Sequence, residues 1–237
     1  MPAHPQPTRI VAVRHGETAW NVDTRIQGQL DISLNAKGRW QAQRVAQALS
    51  QDGLSHLYTS DLARARETAQ TIGASTGLPL QFEPGLRERG FGAFEGHTWS
   101  EIERRWPQDS ARWRARDLAF APPGGGETLE IFYARVVAAV SQIAARHAGE
   151  AIALVAHGGV MDCLYRAAAR TGLAAPRTWL LGNAALNRLL HTGEGFTLVG
   201  WSDTSHLDGD GDGDGDFEFG DDAASADVGA DRVGHTA

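Results

Sequence analysis

Ile10-Val11-Ala12-Val13-Arg14-His15-Gly16-Glu17-Thr18 is the stretch on which the fold turns. A short, mostly β-branched apolar run reads as a buried strand. Arg14 and His15 fall where that strand ends, and Gly16 lets the backbone turn sharply there. In open α/β sheets, ligands bind at the carboxyl ends of strands. A guanidinium and an imidazole at such an end suit an anionic substrate together with a nucleophile or acid/base group. Taken alone, the same residues also read as a solvated strand end.

The pattern recurs late in the chain. Ala151-Ile152-Ala153-Leu154-Val155-Ala156 is the clearest buried strand, and His157-Gly158-Gly159 follows at its end. Between the two lie further strands at 54–59 and 80–82 and helices from Asn35 to Gly53, at 62–75 and at 127–147. A helix at 160–169 and a hairpin of 186–191 with 196–201 close the chain. The polar loop from Glu17 to Leu34 reads as too polar for a core. Ser60 or Asp61 is the expected cap of the 62–75 helix, whose first turn carries Arg64. Arg66 lies about 200° further round that helix and points elsewhere. Ile131, Val136, Val137, Val140, Ile143 and Ala144 are the expected buried side of 127–147. Strands alternating with helices imply a three-layer α/β/α fold with a mostly parallel sheet. Right-handed crossovers then bring Arg14, His15, Arg64 and His157 to one edge, within reach of Glu88.

A helical lid is expected at about 90–126. It holds Trp99, Trp106 and Trp113, seven residues apart, with Pro107 interrupting any continuous helix. Packing against the main body is the plain reading of these tryptophans. The surrounding arginines, offset by Glu101, Glu103, Asp109 and Asp117, read as a solvated face.

Charge is unevenly spread. Asp203 to Ala237 hold eleven acidic residues and one arginine, so the other 202 residues carry +3 although the whole chain carries −7. A mildly basic domain without a dense Lys/Arg run suits a small anionic substrate better than nucleic acid. The single Cys163 excludes an intramolecular disulfide and reads as an inert packed residue. No signal-peptide core and no membrane-length apolar run is evident, so a cytoplasmic location is expected, with no membrane partner. The expected division is a flexible N-terminus at 1–7, a domain at 8–207 and an acidic Gly/Asp-rich tail at 208–237. So little apolar area favours disorder in the tail. One register, from Asp210 through Gly215 to Asp221, resembles a calcium loop, and a Gly-Asp repeat also produces it by chance.

Taken together, Arg14-His15-Gly16-Glu17-Thr18 with Asn21 and Gln27-Gly28, Thr59-Ser60-Asp61-Leu62-Ala63-Arg64, Leu86-Arg87-Glu88, Phe94-Glu95-Gly96 and Val155-Ala156-His157-Gly158-Gly159 resemble the histidine phosphatase superfamily. The likeness runs in order from about Thr8 to Leu207 and is to the phosphoglycerate-mutase-like branch, in its broad phosphatase subgroup. It implies that His15 is the nucleophile that becomes phosphorylated. Arg14, Arg64 and His157 would then hold the phosphoryl oxygens, with Asn21, Gln27, Gly28 and Gly158 lining the substrate pocket. Glu88 would protonate the leaving oxygen and later activate water. The chemistry is coherent. Guanidiniums offer rigid forked donors where charge develops, and a covalent intermediate splits one hard hydrolysis into two easier displacements. His15 must be neutral to attack, whereas His157 would serve best as a cation. No metal or other cofactor is required.

On its residues alone, His157 also reads as a core histidine and Glu88 as a surface ion-pair partner. Mutases of the family usually carry a longer insert after the glutamate motif. Here Arg87-Glu88-Arg89-Gly90-Phe91-Gly92-Ala93-Phe94-Glu95-Gly96 and Pro122-Pro123-Gly124-Gly125-Gly126-Glu127-Thr128 look more like the phosphatases. The expected activity is therefore hydrolysis of a small phosphorylated metabolite. A phosphoglycerate mutase and an inactive phospho-ligand binder are the alternatives, and a monomer or a dimer fits either way.

Overall fold

β-branched residues alternate faces along the first strand, and both faces are covered. The computed structural model describes residues 6–208. In chain order the elements are β1 (Thr8–Arg14), α1 (Ala19–Val22), α2 (Ala36–Leu49), β2 (His56–Thr59), α3 (Ala63–Thr76), β3 (Leu80–Phe82), α4 (Trp99–Arg105) and α5 (Pro107–Arg114). They continue with α6 (Leu129–Ala145), β4 (Ala151–Ala156), α7 (Gly158–Ala169), β5 (Leu186–Thr192) and β6 (Gly195–Asp203). Val11 and Val13 of β1, with Ala153 and Val155 of β4, pack against α2 and α3. Ile10 and Ala12, with Ile152, Leu154 and Ala156, pack against α6 and α7 on the other face. The period-two alternation of side chains thus feeds two cores from one sheet.

The six strands lie in the order β3-β2-β4-β1-β5-β6. The first four in that order are mutually parallel, β5 runs antiparallel to β1, and β6 runs antiparallel to β5. This is the three-layer, mostly parallel arrangement expected. β1 and β4 are neighbours, yet the helices that follow them, α2 and α7, leave to opposite faces. Such a divergence opens a crevice beyond the carboxyl ends of the two strands. Among the described residues, no helix is long and apolar enough to cross a membrane. The acidic stretch 209–237, with its expected disorder and calcium register, and residues 1–5 lie outside the described residues.

Several local expectations change. The loop after β1 is not uniformly solvated, because Ile26 is 3% exposed and Gln27 is fully buried. It folds back over the strand ends, tied by a reciprocal capping box between Thr18 and Asn21. Gly16 has no positive φ. It is required instead because a Cβ there would strike the Gly38 backbone of α2. Helix α3 is capped from afar, with Asp31 Oδ1 accepting from the Ala63 N–H. Helix α6 starts at Leu129 behind Thr128, whose hydroxyl accepts from the Ile131 N–H. Ile131 is 59% exposed rather than buried. It lies about 100° off the stripe of Phe132, Val136 and Val140.

Residues 91–120, joined by Ile26 of the loop after β1, build a third core outside the sheet, from Phe91, Phe94, Ile102, Trp113 and Phe120. Phe94 stacks on Trp113 at 5.3 Å, and Trp99 meets the same indole edge-on at 5.4 Å. The tryptophans therefore pack within this aromatic cluster. Pro107 opens α5 at a position where no backbone donor is needed.

Candidate active site

His15 sits at the end of β1, and its N–H donates to the Ala156 carbonyl at the end of β4, 2.9 Å away. One hydrogen bond therefore joins the two predicted histidine sites across the crevice. The His15 and His157 rings lie 5.3 Å apart, centroid to centroid. His15 Nδ1 is 2.7 Å from the Gly16 carbonyl oxygen. Since a carbonyl only accepts, Nδ1 carries the proton and Nε2 presents its lone pair. Arg64 Nε donates to that Nε2 at 3.2 Å. Burial, then the Arg64 and Arg14 charges, hold the His15 pKa well below the usual 6.5.

His157 is the N-cap of α7, which starts two residues earlier than expected. Its Nε2 is 2.9 Å from Ser60 Oγ, and its Nδ1 is buried without a hydrogen-bond partner among the described residues. Burial first, then Arg64, His15, Arg14 and Arg135, depress its pKa strongly. In the ligand-free protein burial and these neighbouring groups thus favour the neutral form of His157, whereas the cationic form expected would serve with a phosphoryl group bound. The sequence shows an imidazole among arginines, but the protonation state follows from full burial.

The two guanidiniums are almost wholly buried and held by carbonyls. Arg64 donates to the Leu30 carbonyl at 2.9 Å and the Gly28 carbonyl at 2.7 Å. Gly28 adopts φ +52°, which turns the loop so that its carbonyl meets Arg64. Arg14 donates to the Leu181 carbonyl. A Cβ on Gly158 would sit 3.5 Å from Arg14 Cζ, so Arg14 lies against the first turn of α7. Helix N-terminal N–H groups and two cations thus converge at the strand ends, an arrangement suited to an anion.

Glu88 is 1% exposed, which removes the surface ion-pair reading. Its Oε1 accepts from the Arg89 N–H at 2.8 Å and its Oε2 from the Gly159 N–H at 2.9 Å. The carboxylate is thereby fixed beside the start of α7. A Cβ on Gly159 would meet both this carboxylate and the Phe132 ring. Next to Gly159 a small cavity opens between Arg89, Phe91 of the aromatic insert, Phe132 and Tyr133 of α6, and Leu173.

Asn21 and Gln27 are buried at the same strand ends, at 6% and 0% exposure. Asn21 Oδ1 accepts from the Thr18 N–H, and Asn183 Nδ2 reaches it at 3.4 Å. Both side-chain polar atoms of Gln27 lack a partner among the described residues. A buried amide with neither end satisfied is costly without a ligand or water.

Several contributors were not read from the sequence as site residues. Asn183 Nδ2 donates to the His15 carbonyl at 3.0 Å. Ala184, at φ +59°, donates its N–H to the Arg14 carbonyl. Arg135 and Gln29 both donate to the Glu88 carbonyl, at 3.2 and 3.1 Å. Ser60 lay inside a quoted motif but reads there as a helix cap. The others carry no local signal, because each acts across a long sequence gap.

A sequence model of the histidine phosphatase superfamily (branch 1) matches residues 10–204. The chain is 42% identical over 202 residues to phosphoglycerate mutase-like protein 4 of Arabidopsis thaliana, covering 84% of this chain and 86% of that protein. It is 36% identical to a metal-independent phosphoserine phosphatase of the same plant, covering 84% of this chain and 83% of that one. Among solved structures, a mycobacterial glucosyl-3-phosphoglycerate phosphatase complexed with VO3 shares 32% identity. That match has a TM-score of 0.74 and covers 83% of this chain and 99% of that chain. With the paired strand-end histidines and the arginines beside them, this chain belongs to branch 1 of the histidine phosphatase superfamily.

Proposed function

We propose that the protein hydrolyses phosphomonoesters through a phosphohistidine formed on His15. The observation that carries this reading is the His15 tautomer. Nδ1–H is tied to the Gly16 carbonyl, so a neutral Nε2 lone pair faces the crevice beside Arg64. In the first displacement Nε2 attacks phosphorus, the ester P–O bond breaks, and Glu88 delivers a proton to the leaving oxygen. In the second, water attacks the phosphohistidine, Glu88 takes its proton, and inorganic phosphate leaves. Arg14, Arg64, His157, Asn21 and the Gly158 N–H hold the phosphoryl oxygens. Gln27 supplies the amide donor that is unsatisfied without a ligand. A dianionic phosphoryl group is what brings His157 into use as a charged donor.

The arginines and the α7 N-terminus supply the positive charge that a divalent ion would otherwise provide. Turnover therefore needs no metal, and the relative named as a metal-independent phosphatase is in keeping with this. The substrate is a small phosphorylated metabolite of the cytoplasm, as the phosphoserine and glucosyl-3-phosphoglycerate of the relatives' names are small phosphorylated compounds. Its leaving group faces the cavity beside Gly159, and the insert at 91–120 sets the choice among substrates.

Phosphate release from p-nitrophenyl phosphate, phosphoserine and 3-phosphoglycerate tests the reading, with 3- to 2-phosphoglycerate interconversion assayed in parallel. Release is expected to dominate, to survive chelation by EDTA, and to vanish in His15→Ala together with the acid-labile phosphoryl label. Rapid interconversion with negligible phosphate release would overturn the hydrolase reading. Undiminished turnover in His15→Ala would remove the nucleophile.

A further inference from the structure

We propose that His56, His147 and Glu150 form a site for a divalent transition ion of the zinc type, at the end of the sheet opposite the histidine pair. His56 opens β2, His147 follows α6, and Glu150 immediately precedes β4. The carboxyl end of β4, where His157 stands, is six residues away, about 20 Å along an extended strand. The two sites are thus separate.

One donor atom from each residue lies within 4.8 Å of the other two. Glu150 Oε2 is 2.9 Å from His147 Nδ1 and 3.1 Å from His56 Nε2. Tetrahedral donors around zinc, with bonds of about 2.0–2.1 Å, stand about 3.3 Å apart. Both carboxylate–imidazole spacings are therefore close to coordination spacing, and the two imidazole nitrogens lie within 4.8 Å. Two imidazoles with one carboxylate form a donor set that suits zinc and its neighbours, whereas magnesium and calcium take oxygen ligands. A water completes the fourth position.

Groups behind the donors are also in place. In the ion-free protein His147 Nδ1–H donates to Glu150, and Tyr58 O–H, 2.9 Å away, donates to Nε2; with a metal in place of the Nδ1 proton, the same hydroxyl turns to accept Nε2–H. The Gln81 amide is 3.4 Å from His56 Nδ1. With its oxygen turned toward the ring, it accepts Nδ1–H and leaves Nε2 to the metal. Such outer partners commonly set the orientation of metal-bound histidines. The two rings are 3.9 Å apart, closer than imidazoles radiating from one ion. His56 is about one-third exposed and rotates outward to meet the ion, while buried His147 stays fixed. Bound metal would join β2 to the α6–β4 turn and leave the phosphoryl site untouched.

The test uses the full chain stripped with a chelator and titrated with Zn2+ alone, beside His56→Ala and Glu150→Gln. Other histidines bind zinc as well, so the difference from the variants is what counts. The wild type is expected to take up one more equivalent than either variant, or to bind it at least about tenfold more tightly. Zinc should raise its Tm while leaving the Tm of both variants unchanged, and kcat/KM for p-nitrophenyl phosphate should be the same in all three. Identical zinc stoichiometry, affinity and Tm response in the three proteins would overturn the proposal. The cluster would then be a hydrogen-bonded His-carboxylate-His group only.

Discussion

At the scale of single residues, protonation and hydrogen-bond direction decide what the crevice can do. His15 is poised as a nucleophile because a backbone carbonyl claims one nitrogen and leaves the other basic. Arg64 touches that nitrogen and also donates to two carbonyls, one from each terminal nitrogen. A lysine cannot reproduce this fork. Arg64→Lys is therefore expected to lower kcat/KM by about 100-fold or more, near the scale of losing one transition-state donor. Steady-state kinetics on p-nitrophenyl phosphate measure it, and a loss below threefold would remove Arg64 from the mechanism. The depressed His15 pKa bears on the pH profile too. The reactive form is neutral, and burial together with Arg64 and Arg14 delays its protonation. As pH falls through 6.5, kcat/KM is expected to stay on its plateau, with the acid limb lying lower. A half-maximal point at or above 6.5 would contradict this.

At the scale of elements, the important unit is the junction from β4 to α7. One of its two glycines is needed for proximity. A Cβ on Gly158 would only reach ordinary contact with Arg14, whereas Gly159 admits the Glu88 carboxylate. In Gly159→Ala the new methyl group displaces Glu88 and loses the N–H contact, although alanine itself favours a helix by about 1 kcal/mol. The expected outcome is a fall in kcat of about 10- to 100-fold with Tm unchanged or raised. A folded variant with normal kcat would show that the close approach does not matter. The sequence marks this junction through its repeated strand-His-Gly pattern. It does not mark Asp31 as the cap of α3, or Arg135 and Gln29 as the braces of Glu88. Those contacts span from 32 to 59 residues and leave no periodic trace.

At the scale of the whole molecule, burying two neutral histidines ties stability to pH. Both His15 and His157 have folded-state pKa values well below 6.5. As pH falls below 6.5 the unfolded chain binds protons at these positions and the folded chain does not. Unfolding is then favoured by up to about 1.4 kcal/mol per pH unit for each histidine. Tm is expected to drop as pH is lowered from 7 toward 5. A His15→Gln, His157→Gln double variant should show a shallower fall by differential scanning calorimetry, and equal slopes would refute the linkage. Saturating inorganic phosphate should offset the loss by binding only the folded state.

Strand and helix order, the layered class and the residue types of the site follow from the sequence alone, because periodicity and turn chemistry are local. Arg14, His15, Arg64, Glu88 and His157 stood out through the ordered family resemblance, because local pattern alone left His157 readable as a core histidine and Glu88 as an ion-pair partner. Only the tertiary structure decided that His15 has its lone pair on Nε2, that burial works against charge on His157, and that Gln27 is buried without a partner among the described residues. It also decided that His56, His147 and Glu150, far apart in the chain, meet at the other end of the sheet. The physical reason is shared. Protonation, desolvation and donor convergence depend on which distant atoms share a small volume, and that information is carried by chain packing.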